Sequence, residues 1–245
     1  MGGGYIELHA RSAFSFLRGA SQPRDLAEAG ANAGLEAMAV CDRGGVYGTA
    51  RFHKAANERG LRPIVGCELA MEDGSVLPVL IKSRPGYRNL CKLLTQSQLR
   101  AEKGEGRVRW EELPEFSEGM MALTGDEEGP LRRAWTEDGY SGLERALESL
   151  RRAFADENLG IEVQRHYLRG EQRWVSALRD LADSSRVRLV ATNGVCYATQ
   201  SGRSVQDLFT CLRNKTQLDK AGPLLSGNAQ RFVKSAKEMA YLFRD

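Results

Sequence analysis

The clearest fold signal lies in residues 21–67, SQPRDLAEAGANAGLEAMAVCDRGGVYGTARFHKAANERGLRPIVGC. The stretch contains one phrase twice, and each copy consists of an amphipathic helix, a glycine and a short apolar strand. The first helix ends at Gly34 before LEAMAVC, and the second ends at Gly60 before LRPIVGC, because glycine suits the residue that closes a helix. Helices that alternate with buried strands predict right-handed crossovers and a mostly parallel sheet.

The same alternation continues through the rest of the chain. Further strands are predicted at residues 5–9, 76–81, 119–124, 159–164 and 187–191, and further helices near residues 86–100, 141–154, 171–184 and 203–212. The phosphate-binding motifs GxGxxG and GxxxxGK(S/T) do not follow the first strand, which disfavours a doubly wound nucleotide-binding sheet. We therefore expect a TIM-barrel-like α/β barrel with seven short strands.

Two segments bear on domain organisation. Residues 101–118 are polar and interrupt the pattern, and we interpret them as an excursion within a single domain of residues 1–245. The phrase SAKEMAYLFRD has Ser235 at the N-cap and Glu238 at the capping-box position of a helix that meets no stop signal. We therefore expect the chain to be a fragment of a longer polypeptide.

The composition is that of a globular protein. The 245 residues include 35 Lys and Arg against 32 Asp and Glu, a net charge of +3, and are 42% hydrophobic. These values exclude disorder, collagen and coiled coil as the dominant state, and the small basic excess identifies no partner by itself. Because no apolar run approaches the ~18 residues of a membrane span and no signal peptide is visible, we expect a cytoplasmic protein with no membrane partner. The five cysteines lack CxxC spacing and are expected to be reduced thiols.

Polar residues follow five of the predicted strands. In a parallel barrel the carboxyl ends of the strands meet at one rim, where reactive groups belong. The recurrence of polar groups at these ends therefore predicts a functional rim, either ancestral or present. The polar rim residues include His9, Arg11, Asp42, Arg43, Glu68, Arg165, His166 and Asn193.

Seven phrases in order along the chain carry a resemblance to a known family. They are ELHARSAFSFLRGAS, AVCDRGGVYGTARFHKAA, GLRPIVGCEL, PGYRNLCKLLT, EVQRH, VATNGVCYAT and RFVKSAKEMAYLF. The sequence resembles the N-terminal PHP (polymerase and histidinol phosphatase) domain of bacterial C-family DNA polymerases, the DnaE-type α subunits of DNA polymerase III, and especially their error-prone branch. The resemblance implies a distorted (β/α)7 barrel, in a chain that lacks the polymerase thumb, palm and fingers.

Intact members of this family resemble metal phosphoesterases that bind up to three divalent ions through His, Asp and Glu side chains. Carried onto this chain, the H-x-H motif becomes H-A-R at 9–11, T-D-H becomes C-D-R at 41–43, and N-D-x-H becomes N-G-V-C at 193–196. One further family His, in the middle of the domain, matches no residue that we can place. The ligand positions implied by the resemblance are His9, Arg11, Arg18, Asp42, Arg43, Glu68, His166, Gly194 and Cys196.

The departures from the family pattern argue against an intact metal centre. A guanidinium group has no lone pair and keeps its charge in proteins, so Arg11, Arg18 and Arg43 cannot be ligands and would repel cations. Gly194 supplies no ligand. Three or four remaining donors could still hold one zinc or manganese ion. These donors are His9, Glu68, His166 and, as a soft fourth ligand, Cys196.

Basic residues allow two further interpretations. The three arginines could pair with Glu68, Asp42 or Glu162 and replace metal cross-links by charge-assisted hydrogen bonds. Alternatively, the positive charge of Arg11, Arg18 and Arg43 binds phosphate or a DNA end. A second basic cluster beside an aromatic residue suits DNA backbone, although a solvated loop is the favoured interpretation. This second cluster contains Lys103, Arg107, Arg109 and Trp110.

We therefore predict an architectural domain with a degenerate metal site and no cofactor of its own. The resemblance implies that the parent polymerase performs Mg-dependent nucleotidyl transfer on primed DNA and that this domain contacts the rest of that chain. The rival class is a phosphoesterase, a 3′–5′ exonuclease or pyrophosphatase, in which zinc or manganese on His9, Glu68 and His166 activates water. A third class, a binding module for the sliding clamp or a mutagenesis accessory protein, leaves no motif in the sequence.

Overall fold

The structure, a computed structural model, describes residues 4–244. The helices are α1 (Pro23–Asn32), α2 (Thr49–Asn57), α3 (Arg84–Leu99), α4 (Leu113–Phe116), α5 (Pro130–Arg151), α6 (Glu171–Ser185), α7 (Arg203–Arg213) and α8 (Ala236–Leu242). The strands are β1 (Ala37–Arg43), β2 (Arg62–Ala70), β3 (Val76–Ile81), β4 (Met120–Leu123), β5 (Leu159–Val163) and β6 (Leu189–Ala191). Among the described residues, no helix is both long enough and apolar enough to cross a membrane.

The six strands form one sheet in the order β1-β2-β3-β4-β5-β6. Strands β4, β5 and β6 are parallel neighbours, as predicted. The prediction of a mostly parallel sheet is wrong for β2, β3 and β4, which pair antiparallel. The reason for the first reversal is local, because residues 71–75 (MEDGS) form a turn in which the carboxylate of Asp73 accepts a hydrogen bond from Ser75 N at 2.9 Å. A parallel connection would need about a dozen residues or more.

The first predicted strand along the chain, at residues 5–9, forms only isolated β-bridges in the described part of the chain. Glu7 bridges Met38, and Ala10 bridges Val195, both in parallel orientation. Backbone hydrogen bonds run to both neighbours, with Ala39 N donating to Glu7 O and Val195 N donating to His9 O. The segment is therefore extended and tied on two sides, although it is too irregular to count as a strand.

Residue contacts divide the chain into two compact units. The first unit comprises the residues up to Val65, Arg165–Glu171 and the residues from Thr192 onward. The prediction that residues 1–245 form a single domain stays a prediction.

The core of the first unit explains the repeated phrase. Helices α1 and α2 pack together, and the buried side chains of the two helices and of β1 form one apolar cluster. A Cβ atom on Gly30 would lie 3.0 Å from Leu61 Cδ2 and 3.2 Å from Met38 Sδ, so a glycine permits the close approach. Gly34 and Gly60 adopt φ values of +72° and +70°, which confirms the predicted helix ends. The cluster includes Leu26, Leu35, Met38, Val40, Phe52, Ala56, Leu61 and Val195.

The second unit comprises Gly66–Gln164 and Gln172–Ala191. The polar segment 101–118 lies inside this unit, where Val108 forms a parallel bridge with Met71. The carboxylate of Glu112 accepts hydrogen bonds from Arg100 and from Arg109 N, and these contacts hold the excursion against its own unit. Fully buried side chains of this unit include Leu69, Leu77, Val79, Leu90, Leu93, Leu123, Leu143, Ile161 and Leu178.

Candidate functional site

Glu7 is a buried acid that the sequence patterns did not identify. Its side chain is fully buried and accepts hydrogen bonds from Tyr5 OH at 2.6 Å, His9 N at 2.9 Å and Asn193 N at 3.0 Å. Burial raises the pKa of Glu7 to about 7, although these donors and the charge of His9 lower it. Glu7 therefore ties the His9 segment to Asn193, the first residue of the N-G-V-C motif.

Lys234 is a buried base in the same unit. Its ammonium group lies 4.2 Å from the centroid of the Phe232 ring and donates to the carbonyl of Gln230. Burial lowers the pKa of Lys234 to about 8, and the negative charge of Glu7 acts in the opposite direction. No motif marks this lysine in the sequence, because its environment depends on contacts far apart along the chain.

Arg11 is buried, with 4% of its surface exposed. Its guanidinium group donates to Cys196 Sγ at 3.6 Å, and its backbone N donates to Val195 O at 2.8 Å. The second position of the H-x-H motif and the last position of the N-G-V-C motif are thus in contact. A permanent positive charge stands at this point, and it cannot coordinate a metal ion.

The other two arginines of the predicted site are partly exposed. Arg18 N donates to Ser15 O at 2.8 Å, and Arg43 N donates to Ser15 Oγ at 3.0 Å. Their backbones therefore meet the same serine. The prediction that Arg11, Arg18 and Arg43 bind an anion stays a prediction.

Asp42 is a buried carboxylate whose acceptor capacity is used by its surroundings. It accepts hydrogen bonds from Ser12 N at 2.9 Å, from the hydroxyls of Ser12 and Ser15 at 2.9 and 2.8 Å, and from Gly48 N at 3.2 Å. Burial raises the pKa of Asp42, while these hydrogen bonds lower it. A Cβ atom on Gly48 would lie 2.4 Å from Asp42 Oδ2, so any larger residue here would force the Asp42 side chain or its loop to shift. The geometry makes Asp42 an anchor for loops 12–15 and 44–48.

His166 is also buried, and its ring has a defined partner. Its Nε2 lies 2.9 Å from the carbonyl oxygen of Asn193, and a carbonyl can only accept, so Nε2 carries the proton. The side-chain nitrogen of Asn193 donates to the carbonyls of Gln230 and Phe232 at 2.8 and 2.7 Å. These contacts hold the His166 and Asn193 loops to the segment before α8.

Glu68 and Asp126 are buried acids of the second unit. Glu68 lies in β2 opposite Pro78 of β3 and is fully buried. Asp126 follows β4, and its Oδ1 accepts a hydrogen bond from Glu128 N at 3.1 Å. Asp126 was missed by the sequence analysis, although it follows the predicted strand 119–124 by two residues. The strand-end rule used for the other candidates would have found it.

One group of side chains in the described residues has the composition of a metal site. His9 of the first unit and Glu68 and Asp126 of the second unit are all buried. One imidazole nitrogen and two carboxylates suit zinc or manganese. The group contains two of the three predicted donors and takes Asp126 as its third. The prediction that His166 is a ligand stays a prediction.

The second basic cluster is partly neutralised by acids. Arg107 lies 3.7 Å from a carboxylate oxygen of Glu105, and Arg109 lies 3.7 Å from one of Glu111. The indole N–H of Trp110 donates to an oxygen of Asp73 at 3.1 Å. Exposed ion pairs of this kind contribute little to stability. The prediction that Lys103, Arg107 and Arg109 contact DNA stays a prediction.

Comparison with known proteins assigns the chain. A profile of the PHP domain matches residues 7–166. This chain belongs to the PHP domain family. The PHP chain is 33% identical to error-prone DNA polymerase 1 of Agrobacterium fabrum and 35% identical to the error-prone DNA polymerase of Mycobacterium tuberculosis. Both alignments include 98% of the PHP chain. It covers only 21% and 23% of these proteins, so it spans about a fifth of the length of the curated relatives it matches.

Two solved structures share the fold of this PHP chain. One is an amidohydrolase from Chromobacterium violaceum with bound sulfate and no metal, at a TM-score of 0.51 and 17% identity over 78% of this chain and 87% of that one. The other, from Bifidobacterium adolescentis, is assigned as a metal-dependent phosphoesterase, at a TM-score of 0.51 and 14% identity over 96% of this chain and 95% of that one. The predicted α/β class, the PHP-type fold and the resemblance to error-prone polymerases are thereby confirmed.

Proposed function

We propose that this chain is the architectural PHP domain of an error-prone DNA polymerase and that it holds one divalent ion in place of a multinuclear hydrolytic centre. The likeness to error-prone polymerases over 98% of the chain supports the assignment. DNA synthesis by Mg-dependent nucleotidyl transfer is then an activity of the whole polymerase on primed DNA. The domain itself stabilises that polymerase.

The burial of Arg11 is the observation that carries the architectural role. In the family pattern this position supplies a metal-binding imidazole, whereas here it supplies a buried cation that donates to Cys196. Gly194 replaces a carboxylate, and the carboxylate of Asp42 is occupied by hydroxyl and amide donors. A second and a third ion would therefore meet a positive charge and too few ligands.

A single ion is compatible with the remaining donors. His9, Glu68 and Asp126 are buried donors of the kinds that zinc and manganese accept, which supports zinc or manganese rather than the predicted absence of any cofactor. A bound ion would offset the cost of burying two carboxylates close together. When bound, such an ion can also act as a Lewis acid toward water or phosphate.

A phosphoesterase is the second candidate function, and the same group of ligands favours it. In this case His9, Glu68 and Asp126 would hold an ion that leaves one coordination position open for water. The sulfate found in the Chromobacterium violaceum amidohydrolase belongs to that protein, but an anion of this type is a suitable probe for anion binding by the present chain. Contacts of the domain with DNA, with the sliding clamp or with a mutagenesis accessory protein are further proposals.

Metal analysis combined with hydrolysis assays separates the two functions. The chain is purified without chelator and compared with variants His9→Ala and Asp126→Asn, with His53→Ala as the matched control because His53 is exposed on α2. We expect about one ion per chain in the wild type and the control, loss of the ion in the other two variants, and no hydrolysis of DNA 3′ ends, of pyrophosphate or of phosphate esters. Hydrolysis that disappears with His9→Ala but survives His53→Ala would establish the phosphoesterase instead.

A further inference from the structure

Helix α7 exposes three of its apolar side chains. Val205, Leu208 and Leu212 expose 39%, 52% and 64% of their surface, and their spacing of three and four residues places them along one face of the helix. We call these three residues the α7 apolar face. A surface helix normally buries such a stripe against the core, so this helix has the opposite arrangement.

The inner side of α7 carries several polar groups. Thr210 and Cys211 are buried, and Gln206 and Asp207 each have a buried side-chain oxygen without a hydrogen-bond partner. Arg203 donates to the other carboxylate oxygen of Asp207 at 3.3 Å. Because polar groups already occupy the inner side, a simple rotation of α7 cannot bury its leucines.

Exposed apolar residues continue beyond the helix. Leu218 and Leu224 expose 52% and 51% of their surface. At the end of α7, Arg213 donates to Leu17 O at 3.2 Å, and the neighbouring Phe16 is 81% exposed. Single exposed leucines are common, but three exposed apolar residues along one helix face, with others in neighbouring segments of the chain, mark an interaction surface in soluble proteins.

We propose that the α7 apolar face is the docking surface for the part of the error-prone polymerase that lies outside this chain. The inference rests on the proposed function. The length of the relatives supplies the occupant, since about four fifths of each related polymerase lies outside the matched region. A segment joined to the domain in one polypeptide loses less translational freedom on docking than a separate molecule, so a modest apolar face suffices.

Photo-crosslinking in the full-length polymerase tests this surface. The photoreactive amino acid benzoylphenylalanine replaces Leu208, and a matched protein carries it at Leu99, which is 82% exposed at the end of α3. After irradiation, we expect the Leu208 position to form an intramolecular crosslink to a peptide outside residues 1–245, and the Leu99 position to form none. A crosslinked dimer from the Leu208 position would identify a second copy as the occupant and overturn the proposal. The absence of any crosslink at Leu208 would also overturn it.

Two charge variants give an independent readout. Leu208→Glu in the full-length polymerase should lower the melting temperature of the domain, whereas Leu99→Glu should leave it unchanged, because a glutamate in a docked interface loses its hydration. Equal melting temperatures for the two variants would contradict docking at α7. Primer extension by the wild-type protein is measured in parallel. Failure of extension refutes the proposed function, whereas intact extension without a crosslink refutes only the docking surface.

Discussion

Asp42 and Asp126 are both buried acids at strand ends, and their surroundings assign them different roles. Asp42 accepts hydrogen bonds from backbone amides of Ser12 and Gly48 and from two serine hydroxyls. Asp126 is instead one of the three donors, with His9 and Glu68, of the metal site that we propose. The hydrogen bonds that Asp42 accepts use its acceptor capacity, whereas we propose that Asp126 is a metal ligand. Both acids follow predicted strands, so their positions in the sequence do not distinguish them.

The largest expected effect comes from removing the acceptor in the Asp42 network. Asp42→Ala leaves buried amides and hydroxyls without an acceptor, which should cost about 4 kcal/mol of unfolding free energy. Urea denaturation of the wild type and the variant measures this change. The control is Asp156→Ala, which removes a half-exposed carboxylate paired with Arg151 and should have a small effect. Similar losses for Asp42→Ala and Asp156→Ala would show that Asp42 is not an anchor.

Glu7, another buried acid, should make the free energy of unfolding depend on pH. Its pKa of about 7 in the folded protein exceeds its ordinary value of 4.5. Below pH 4.5 the Glu7 carboxyl group is protonated in both the folded and the unfolded chain, and above pH 7 it is ionised in both. In between, the unfolded chain releases its proton first, so stability falls by about 3 kcal/mol as pH rises.

Unfolding free energies at several pH values between 4.5 and 7 test this prediction. Lys234 does not interfere, because its pKa of about 8 lies above the range. Glu7→Gln should remove most of the decline, while Glu58→Gln, at an exposed position after α2, should retain it. An unchanged slope in Glu7→Gln would assign the pH dependence to another group.

The proposed metal site provides the third test, which measures how far an added ion stabilises the folded chain. Zinc or manganese at 100 times its dissociation constant should stabilise the wild-type chain by ~2.7 kcal/mol, because it binds the folded state alone. Asp126→Asn should lose this stabilisation, and His53→Ala should keep it, as followed by thermal melting with and without the ion. Asp42→Asn should also keep it. Loss of the effect in Asp42→Asn would erase the distinction between the two acids.

The smallest expected effect concerns the glycine beside Asp42. Gly48→Ala would bring a Cβ atom to 2.4 Å from Asp42 Oδ2 and 2.7 Å from Ser12 Oγ. The required shift should cost about 1–2 kcal/mol. Gly4→Ala is the control, since its Cβ would meet only Glu36 at 3.8 Å. Equal stability of the two variants in urea would mean that the Asp42 network adapts freely.

The parts of the fold that depend on local sequence could be predicted. The glycine that follows α1 and the one that follows α2 have the expected positive φ values, because the conformation that ends a helix favours glycine over every other residue. The strand direction in β2–β4 could not be predicted by analogy with the first repeat. Between β2 and β3, the MEDGS turn takes the place of a crossover helix and determines the antiparallel pairing.

The candidate site was only partly predictable for a similar reason. His9 and Glu68 were found because motifs mark them, and Asp126 was missed although its position after β4 follows the same rule. The environments of Glu7 and Lys234 depend on chain segments more than 180 residues apart, such as the contact of Glu7 with Asn193. No local pattern carries that information.

Titration of the purified chain with zinc or manganese, followed by native mass spectrometry, measures how many ions the chain binds. We expect that binding saturates at one ion per chain and that Asp126→Asn binds none, since the buried guanidinium of Arg11 and the missing side chain at Gly194 prevent a second site. Specific binding of two or three ions to the wild-type chain would show that a multinuclear centre is retained.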